Sequence, residues 1–314
     1  MVGSAYTAGI GKRLVAKLDT FSSNREIGTR WGAAGSRAAD SIRVIARNRL
    51  ALIGGGIICI GIIMAVFAPL IATYEPNEIN IAQRLQGPSA EHWLGTDFMG
   101  RDTFSRIVFG ARTAFQVALG AVLIGALLGI PIGAIGGYCG RWVDAALMRV
   151  VDAILAFPGR LLAIALVASL GGGLFSLYVA IGVSSIPSYA RIVRGAVLTQ
   201  KEKEYVEAAR MTGESDAYIL FMQILPNCAA PMLVRLSLDF AQAILTESSL
   251  SFLGLGFPPP TPSWGLMLKE VSPLLELQPW AALFPGLTIS LMILGFNLLG
   301  DGLRDVFDPR QYER

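Results

Sequence analysis

The chain has 314 residues, 53% of them hydrophobic and only 16% charged, with a mean hydropathy of +0.55. A soluble domain would carry about 25% charged residues, so this composition argues against a soluble protein and for a lipid environment. The formal net charge of +3 is too small to suggest a nucleic-acid partner.

The chain opens on a basic segment. Residues 1–49 hold nine Lys/Arg against three Asp/Glu, and that bias beside a first span places the N-terminus in the cytoplasm. Trp31, Ile42, Val44 and Ile45 stand among arginines, as expected of a basic interfacial helix over 29–49. Before Ser41 a disordered basic tail is the alternative. The segment is polar, and the apolar run after it is too long for a signal-peptide core, so no leader is expected. That first run, 50–72, exceeds the roughly 20 residues a helix needs to cross a bilayer and gives the first span. A long external loop, 74–112, follows. The second span is expected at about 115–138. There Ala121, Gly125, Gly129, Gly133 and Gly137 recur every four residues, a stripe that lets another helix approach closely in lipid. Pro131 falls inside this helix, where proline removes a hydrogen bond and favours a kink.

The third apolar run, 161–190, is either one tilted span centred on Gly171-Gly172-Gly173 or two spans joined there. One span would put Arg191, Arg194, Lys201, Lys203 and Arg210 outside; two put them inside, as the positive-inside rule prefers. Spans are therefore expected at about 146–170 and 174–198. Arg149 and Asp152, three apart, can face each other. Arg160, after Pro158-Gly159, must face protein or water. Residues 199–228 form a cytoplasmic loop. Within it, 201–211 is rich in helix formers and Gly213 stops that helix. Ser215-Asp216 cap a second short helix over 217–224, which Pro226 ends. The fifth and sixth spans follow at about 229–253 and 281–303, around a Pro-rich external loop, 257–279. The expected fold class is an all-α integral membrane protein with six transmembrane helices over 50–310, a cytoplasmic helix–turn–helix, a tail at 311–314, and both termini cytoplasmic. No internal repeat is evident. Cys59, Cys139 and Cys228 show no metal or redox spacing and read as small core residues.

Glu207-Ala208-Ala209, then Gly213, then Leu225-Pro226 resemble the EAA loop of permease subunits in bacterial ABC importers, with Gln223 where the peptide class often has His. His92-Trp93-Leu94-Gly95-Thr96-Asp97, Gly100-Arg101-Asp102, Ser105-Arg106 and Gly110-Ala111-Arg112 are similar to a signature of dipeptide/oligopeptide/nickel permeases, with Trp93 where Pro is usual. Leu250-Ser251-Phe252-Leu253-Gly254-Leu255-Gly256 with Pro258-Pro259-Pro260-Thr261-Pro262-Ser263-Trp264-Gly265 resembles a second stretch of that family. Asn297-Leu298-Leu299-Gly300-Asp301-Gly302-Leu303-Arg304-Asp305 with Asp308-Pro309-Arg310 resembles its C-terminal motif. The resemblance covers residues 48–310 and points to the subunit type with a long loop after the first span.

This resemblance implies a multi-pass protein of the bacterial inner membrane, forming half of a path for dipeptides, oligopeptides or related solutes. It implies a second homologous permease subunit, two cytoplasmic ATPase subunits and an external substrate-binding protein. ATP and Mg belong on the ATPases; this chain has no G-x-x-x-x-G-K-[ST] loop and is expected to carry no cofactor. Glu207, Ala208, Ala209, Gly213, Leu225 and Pro226 are the expected ATPase-coupling residues. The alanines are small enough for close approach, and Glu207 can pair with a basic residue. Asp97, Arg101, Pro259, Pro260 and Trp264 are candidates for docking the binding protein, since a Pro-rich segment is stiff and loses little entropy on binding.

Arg235 and Asp239 are four apart on the fifth span and can pair. Glu247 lies deeper, and ionisable residues at such depth face protein or a wet cavity. Asp239, Thr246, Glu247 and Ser248 are therefore candidates for the path or its gate; a carboxylate satisfied between helices is the alternative for Glu247. His92 is the only histidine and has no partner cluster, so a hydrogen-bonding role is expected rather than a metal site. An ion-driven secondary transporter would show inverted repeats and ionisable residues at the midplane of broken helices, and a membrane enzyme would need a nucleophile with its base or a metal cluster. Neither pattern is evident.

Overall fold

The computed structural model describes residues 48–307. The expected interfacial helix over 29–49 (save its last two residues), the Asp308-Pro309-Arg310 motif and the tail at 311–314 lie outside those residues. The described part is helical, with no strand among the described residues.

Helix α1 is Arg49–Val66, capped by the Asn48 side chain, which accepts from the Leu50 and Ala51 amides. The expected first span is broken: Phe67 interrupts it, and a short α2, Ala68–Ile71, follows. Pro69 has no N–H to give the Ala65 carbonyl. Arg112 takes over, its Nε donating to Ala65 O at 3.2 Å and its Nη2 to Val66 O at 3.5 Å.

Helix α3, Thr103–Cys139, has 37 residues. It starts inside the expected external loop, because Asp102 caps it by accepting from the Ser105 amide at 2.8 Å. Its length of about 55 Å exceeds the roughly 30 Å hydrocarbon core, so several turns stand clear of lipid. It passes through Pro131 unbroken.

The expected third span, 146–170, is two helices: α4, Arg141–Leu155, and α5, Gly159–Leu170, bent by 81°. Pro158 explains the break, because a residue before proline avoids the helical conformation. Arg160 is exposed at the start of α5. Arg149 does not pair with Asp152; Asp152 accepts instead from Arg191 at 2.8 Å.

Gly171 and Gly173, with φ of 83° and 127°, separate α5 from α6, Leu174–Lys201. Ser184 of α6 donates to the Gly159 carbonyl at 3.3 Å, so the two helices run back on each other as a hairpin. This settles the third apolar run in favour of two elements.

The glycine stripe of α3 faces α6. A Cβ on Gly129 would lie 2.6 Å from Tyr189 Cβ, one on Gly137 would lie 2.9 Å from Arg194 O, and one on Gly133 would enter the Ala190 backbone. These backbones touch with no side chain between them, as small-residue stripes allow.

After α6 come α7, Glu204–Met211, and α8, Asp216–Asn227, which turns by 64° into α9, Ala229–Phe252. Pro226 does not end α8; the break falls at Cys228. The Pro-rich loop contains a helix of its own, α10, Trp264–Val271. The last helix is α11, Pro279–Phe307, packed on α1 where Gly54 meets Gly295 and Leu299.

By length and hydropathy α1, α3 and α11 can each cross a membrane, and the bent pairs α4–α5 and α8–α9 raise the number to five. Leucines and isoleucines of α1, α3 and α11 lie exposed around the bundle, as lipid-facing surfaces require. Cys228 is buried as expected, but Cys59 and Cys139 are exposed.

Candidate functional site

The first site is the α7–α8 helix–turn–helix. Gly213 has φ of 80°, a conformation costly to other residues. It lets the Glu214 amide reach Ala209 O at 3.2 Å and the Gly213 amide reach Arg210 O at 3.0 Å, the paired bonds that close a helix C-terminus. Ser215 then caps α8 by accepting from the Tyr218 amide at 3.3 Å, and Gln223 bonds the Glu214 carboxylate.

The inner face of this hairpin belongs to the bundle. Val206, Ala209, Ile219, Leu220, Ile224 and Cys228 pack on Ala134, Tyr138, Val193 and Val197 of α3 and α6. Burial pushes the Cys228 thiol up, and likewise the Tyr205 phenol. The two alanines of the motif part company: Ala208 is exposed, but Ala209 is buried in the chain's own core and offers nothing to a partner. Glu207, Gly213 and Pro226 are exposed, Leu225 half-buried. Met211 beside the turn is 90% exposed.

Tyr138, the penultimate residue of α3, is the residue sequence reasoning missed. Its hydroxyl donates to Asp216 Oδ1 at 2.5 Å, its carbonyl accepts from Lys201 Nζ at 2.5 Å, and Arg210 lies 5.7 Å above its ring. It therefore joins α3 to α6, α7 and α8. Only an aromatic with a polar tip at a helix end hinted at this. Close by, Arg194 of α6 grips Asp144 of α4 with bonds of 2.6 and 2.5 Å.

The second site is at the opposite end of α3. Residues 73–102 fold against the start of that helix and against α10. His92 Nδ1 lies 2.9 Å from Asp102 Oδ1, and its ring packs at a tilt of 36° against Tyr74, centroids 4.7 Å apart. This is the expected hydrogen-bonding role. Arg101 bonds Asp97 at 2.5 Å and Glu270 at 2.8 Å; Arg106 reaches Glu270 at 3.3 Å. Burial, and then the neighbouring Arg101, push the Arg106 guanidinium below its ordinary value. Trp264 lies on Gly110 and donates to Ile107 O at 2.9 Å.

Two docking candidates are therefore not surface residues: Arg101 is 3% exposed and Trp264 1%. They tie the rim together from within, with the carboxylate of Asp97 turned to the same cluster. Pro259 and Pro260 are exposed. Glu270, a partner of both arginines, carried no signal in the sequence.

On α9, Glu247 is 1% exposed. It accepts from Ser251 at 2.8 Å, Ser263 at 2.9 Å and Ser248 at 3.4 Å. Its contacts among the described residues are these serines, which fasten α9 to the Pro-rich loop, the alternative that the sequence left open beside the gate reading. Thr246 turns its hydroxyl back to Gln242 O at 2.8 Å. Asp239 pairs with Arg235 at 2.7 Å, as its spacing implied, and also accepts from Ser185 at 3.3 Å. Among the described residues no cluster of His, Cys, Asp and Glu could hold a metal.

A family model described as "binding-protein-dependent transport system inner membrane component" matches residues 129–312, and one described as the N-terminal TM domain of oligopeptide transport permease C matches 36–88. The chain is 46% identical over 271 residues to the dipeptide transport system permease protein DppC of Alkalihalophilus pseudofirmus, covering 86% of this chain and 89% of that one. It is 43% identical to the glutathione transport system permease protein GsiD of Pectobacterium atrosepticum, covering 84% and 88%. It is 44% identical to a putative peptide transport system permease protein of Brucella abortus, covering 85% and 90%. With helices of this hydropathy and matches over most of its length, the chain belongs to the family of binding-protein-dependent transport system inner membrane components, as a membrane-embedded permease subunit of an ABC importer and not a secondary transporter.

Proposed function

We propose that this permease forms half of the path for dipeptides, oligopeptides or chemically related solutes across a bacterial inner membrane. The relatives named for dipeptide, glutathione and peptide transport support that substrate class. In this reading the chain crosses six times, with α4–α5 as a bent third span and α6 as the fourth, and both termini are cytoplasmic. A second homologous permease completes the path. Two ATPase subunits carry ATP and Mg, and this chain carries no cofactor. An external binding protein meets the rim at Pro259 and Pro260, while Asp97, Arg101 and Trp264 hold that rim in shape.

One observation carries the coupling role. The α7–α8 hairpin is welded to α3 and α6 on one face and leaves Glu207, Ala208 and Met211 exposed on the other. Motion of an ATPase seated on the exposed face reaches the spans through Tyr138 and the hairpin core, because packed interiors transmit displacement.

The test is Gly213→Pro. Proline fixes φ near −65°, against 80° here, and removes the N–H that bonds Arg210 O. The variant should insert at wild-type abundance but lose ATP hydrolysis stimulated by the binding protein. Stimulation at wild-type level would refute the coupling role.

A further inference from the structure

A cavity of about 530 Å³ opens between α6, α9 and α11 in the half of the bundle nearest the hairpin. Ile192, Val234 and Leu238 make its wall apolar, and three charged groups face it: Arg235, Asp301 and Arg304. Its volume is in the range of small-molecule sites, which combine apolar walls with a few convergent polar groups.

The charge on α9 is built in from behind. Asp239, 1% exposed, accepts from Arg235 at 2.7 Å, Ser185 braces Asp239 at 3.3 Å, and the Arg235 guanidinium lies 5.9 Å over the Tyr189 ring. Arg235, which lines the cavity, has its Nε buried without a protein partner. Orphaned polar atoms of this kind mark a place where water or a ligand belongs, and ionisable groups inside a membrane bundle line transport routes. A guanidinium matches a carboxylate with two parallel bonds. Two guanidiniums and one carboxylate on an apolar wall therefore match a molecule bearing both a carboxylate and an ammonium.

We propose that this cavity is a waypoint on the path that receives a zwitterionic peptide, its free carboxylate between Arg235 and Arg304 and its ammonium at Asp301. Asp239 is a positioning residue that aims Arg235. The inference rests on the peptide reading above and names the groups of the peptide that are read.

The test uses the assembled transporter without ATP. Cys59, Cys139 and Cys228 are replaced by Ala, and Val234→Cys supplies a thiol in the cavity wall. The rate of its reaction with an anionic methanethiosulfonate is measured with alanylalanine, its C-terminal amide and its N-acetyl derivative. Alanylalanine should slow labelling about tenfold once it exceeds its dissociation constant about tenfold. The amide should protect far less, and Arg304→Gln should abolish protection. Arg304→Gln is preferred over Arg235→Gln, which would leave Asp239 buried without a cation. The N-acetyl derivative should lose the share of protection owed to Asp301, and Asp301→Asn should erase that difference. Equal protection by peptide and amide, protection surviving Arg304→Gln, or a thiol sealed from reagent in the peptide-free complex would each overturn the proposal. Uptake by the wild-type transporter separates the two readings: alanylalanine carried without protection sinks only the waypoint, and no uptake of any peptide sinks the substrate class.

Discussion

Three serine hydroxyls donate to the Glu247 carboxylate. A lone carboxylate deep in an apolar helix signals a pathway residue, but Ser248, Ser251 and Ser263 occupy its oxygens. Ser251 is one turn away on α9 and was readable from spacing. Ser263 comes from beyond the Pro-rich tip, and no local pattern predicts it. The consequence is measurable. Glu247→Ala leaves three buried hydroxyls without an acceptor, at about 1–3 kcal/mol for each group left unsatisfied; Glu247→Gln keeps one oxygen. Both should lower permease abundance, with Ala far worse, while uptake per inserted molecule stays close to wild type. A fall in uptake at unchanged abundance would return Glu247 to the path. The same limit shows at Ala208 and Ala209, alike in sequence: the turn of α7 exposes one and buries the other.

Among elements, the α3–α6 pair shows how a sequence pattern becomes a contact. The four-residue stripe was legible because small residues at that period lie on one helix face. Its partner was not, since any of the other helices could have met it. The structure brings Gly182, Ser185, Tyr189 and Ala190 of α6 against it. Gly133→Leu should therefore be severe, because its Cβ meets the backbone of Ala190, which cannot rotate aside. Overpacking costs about 1–3 kcal/mol even where side chains can adjust. A lowered melting temperature of the purified permease, with Gly133→Ala between the two, is the expected result; an unchanged melt would mean that the helices do not meet there. Two of the breaks in the other helices follow from proline. Pro158 splits the expected third span, and Pro69 frees the Ala65 carbonyl, to which Arg112 donates from 47 positions later in the chain, as it does to the neighbouring Val66 carbonyl. The prolines were visible; the replacement donor was not.

Across the whole molecule, α3 joins the ion-pair rim to the hairpin core. Its start carries Asp102 and Arg106 in the ion-pair rim, and its end carries Tyr138 in the hairpin core. Helix α9 runs alongside, from the hairpin at Cys228 to the rim clasp at Glu247. A binding protein at one end and an ATPase at the other would act on the same two rods. Glu270→Ala tests the rim. It removes a carboxylate shared by Arg101 and Arg106 and leaves Asp97 as the one acid facing both, so the cost stays below the about 3–5 kcal/mol of a buried charge left with no partner. The variant should lose stimulation by the binding protein while basal ATP hydrolysis, which depends on the far end, persists. Normal stimulation would mean that the rim serves no docking role.

The membrane environment, the family, the hairpin with its Gly213 stop and the stripe that packs α3 were all legible along the chain. These rest on composition, on helical period and on the backbone freedom of one residue type, all of which are local. Which charges lie at the surface and which hold helices together was legible only once the helices were packed. Arg101, Trp264, Asp239 and Glu247 owe their burial to partners 16 to 169 positions away or on neighbouring helices. Burial and charge pairing depend on what lies across a contact, and that is fixed only when the helices pack.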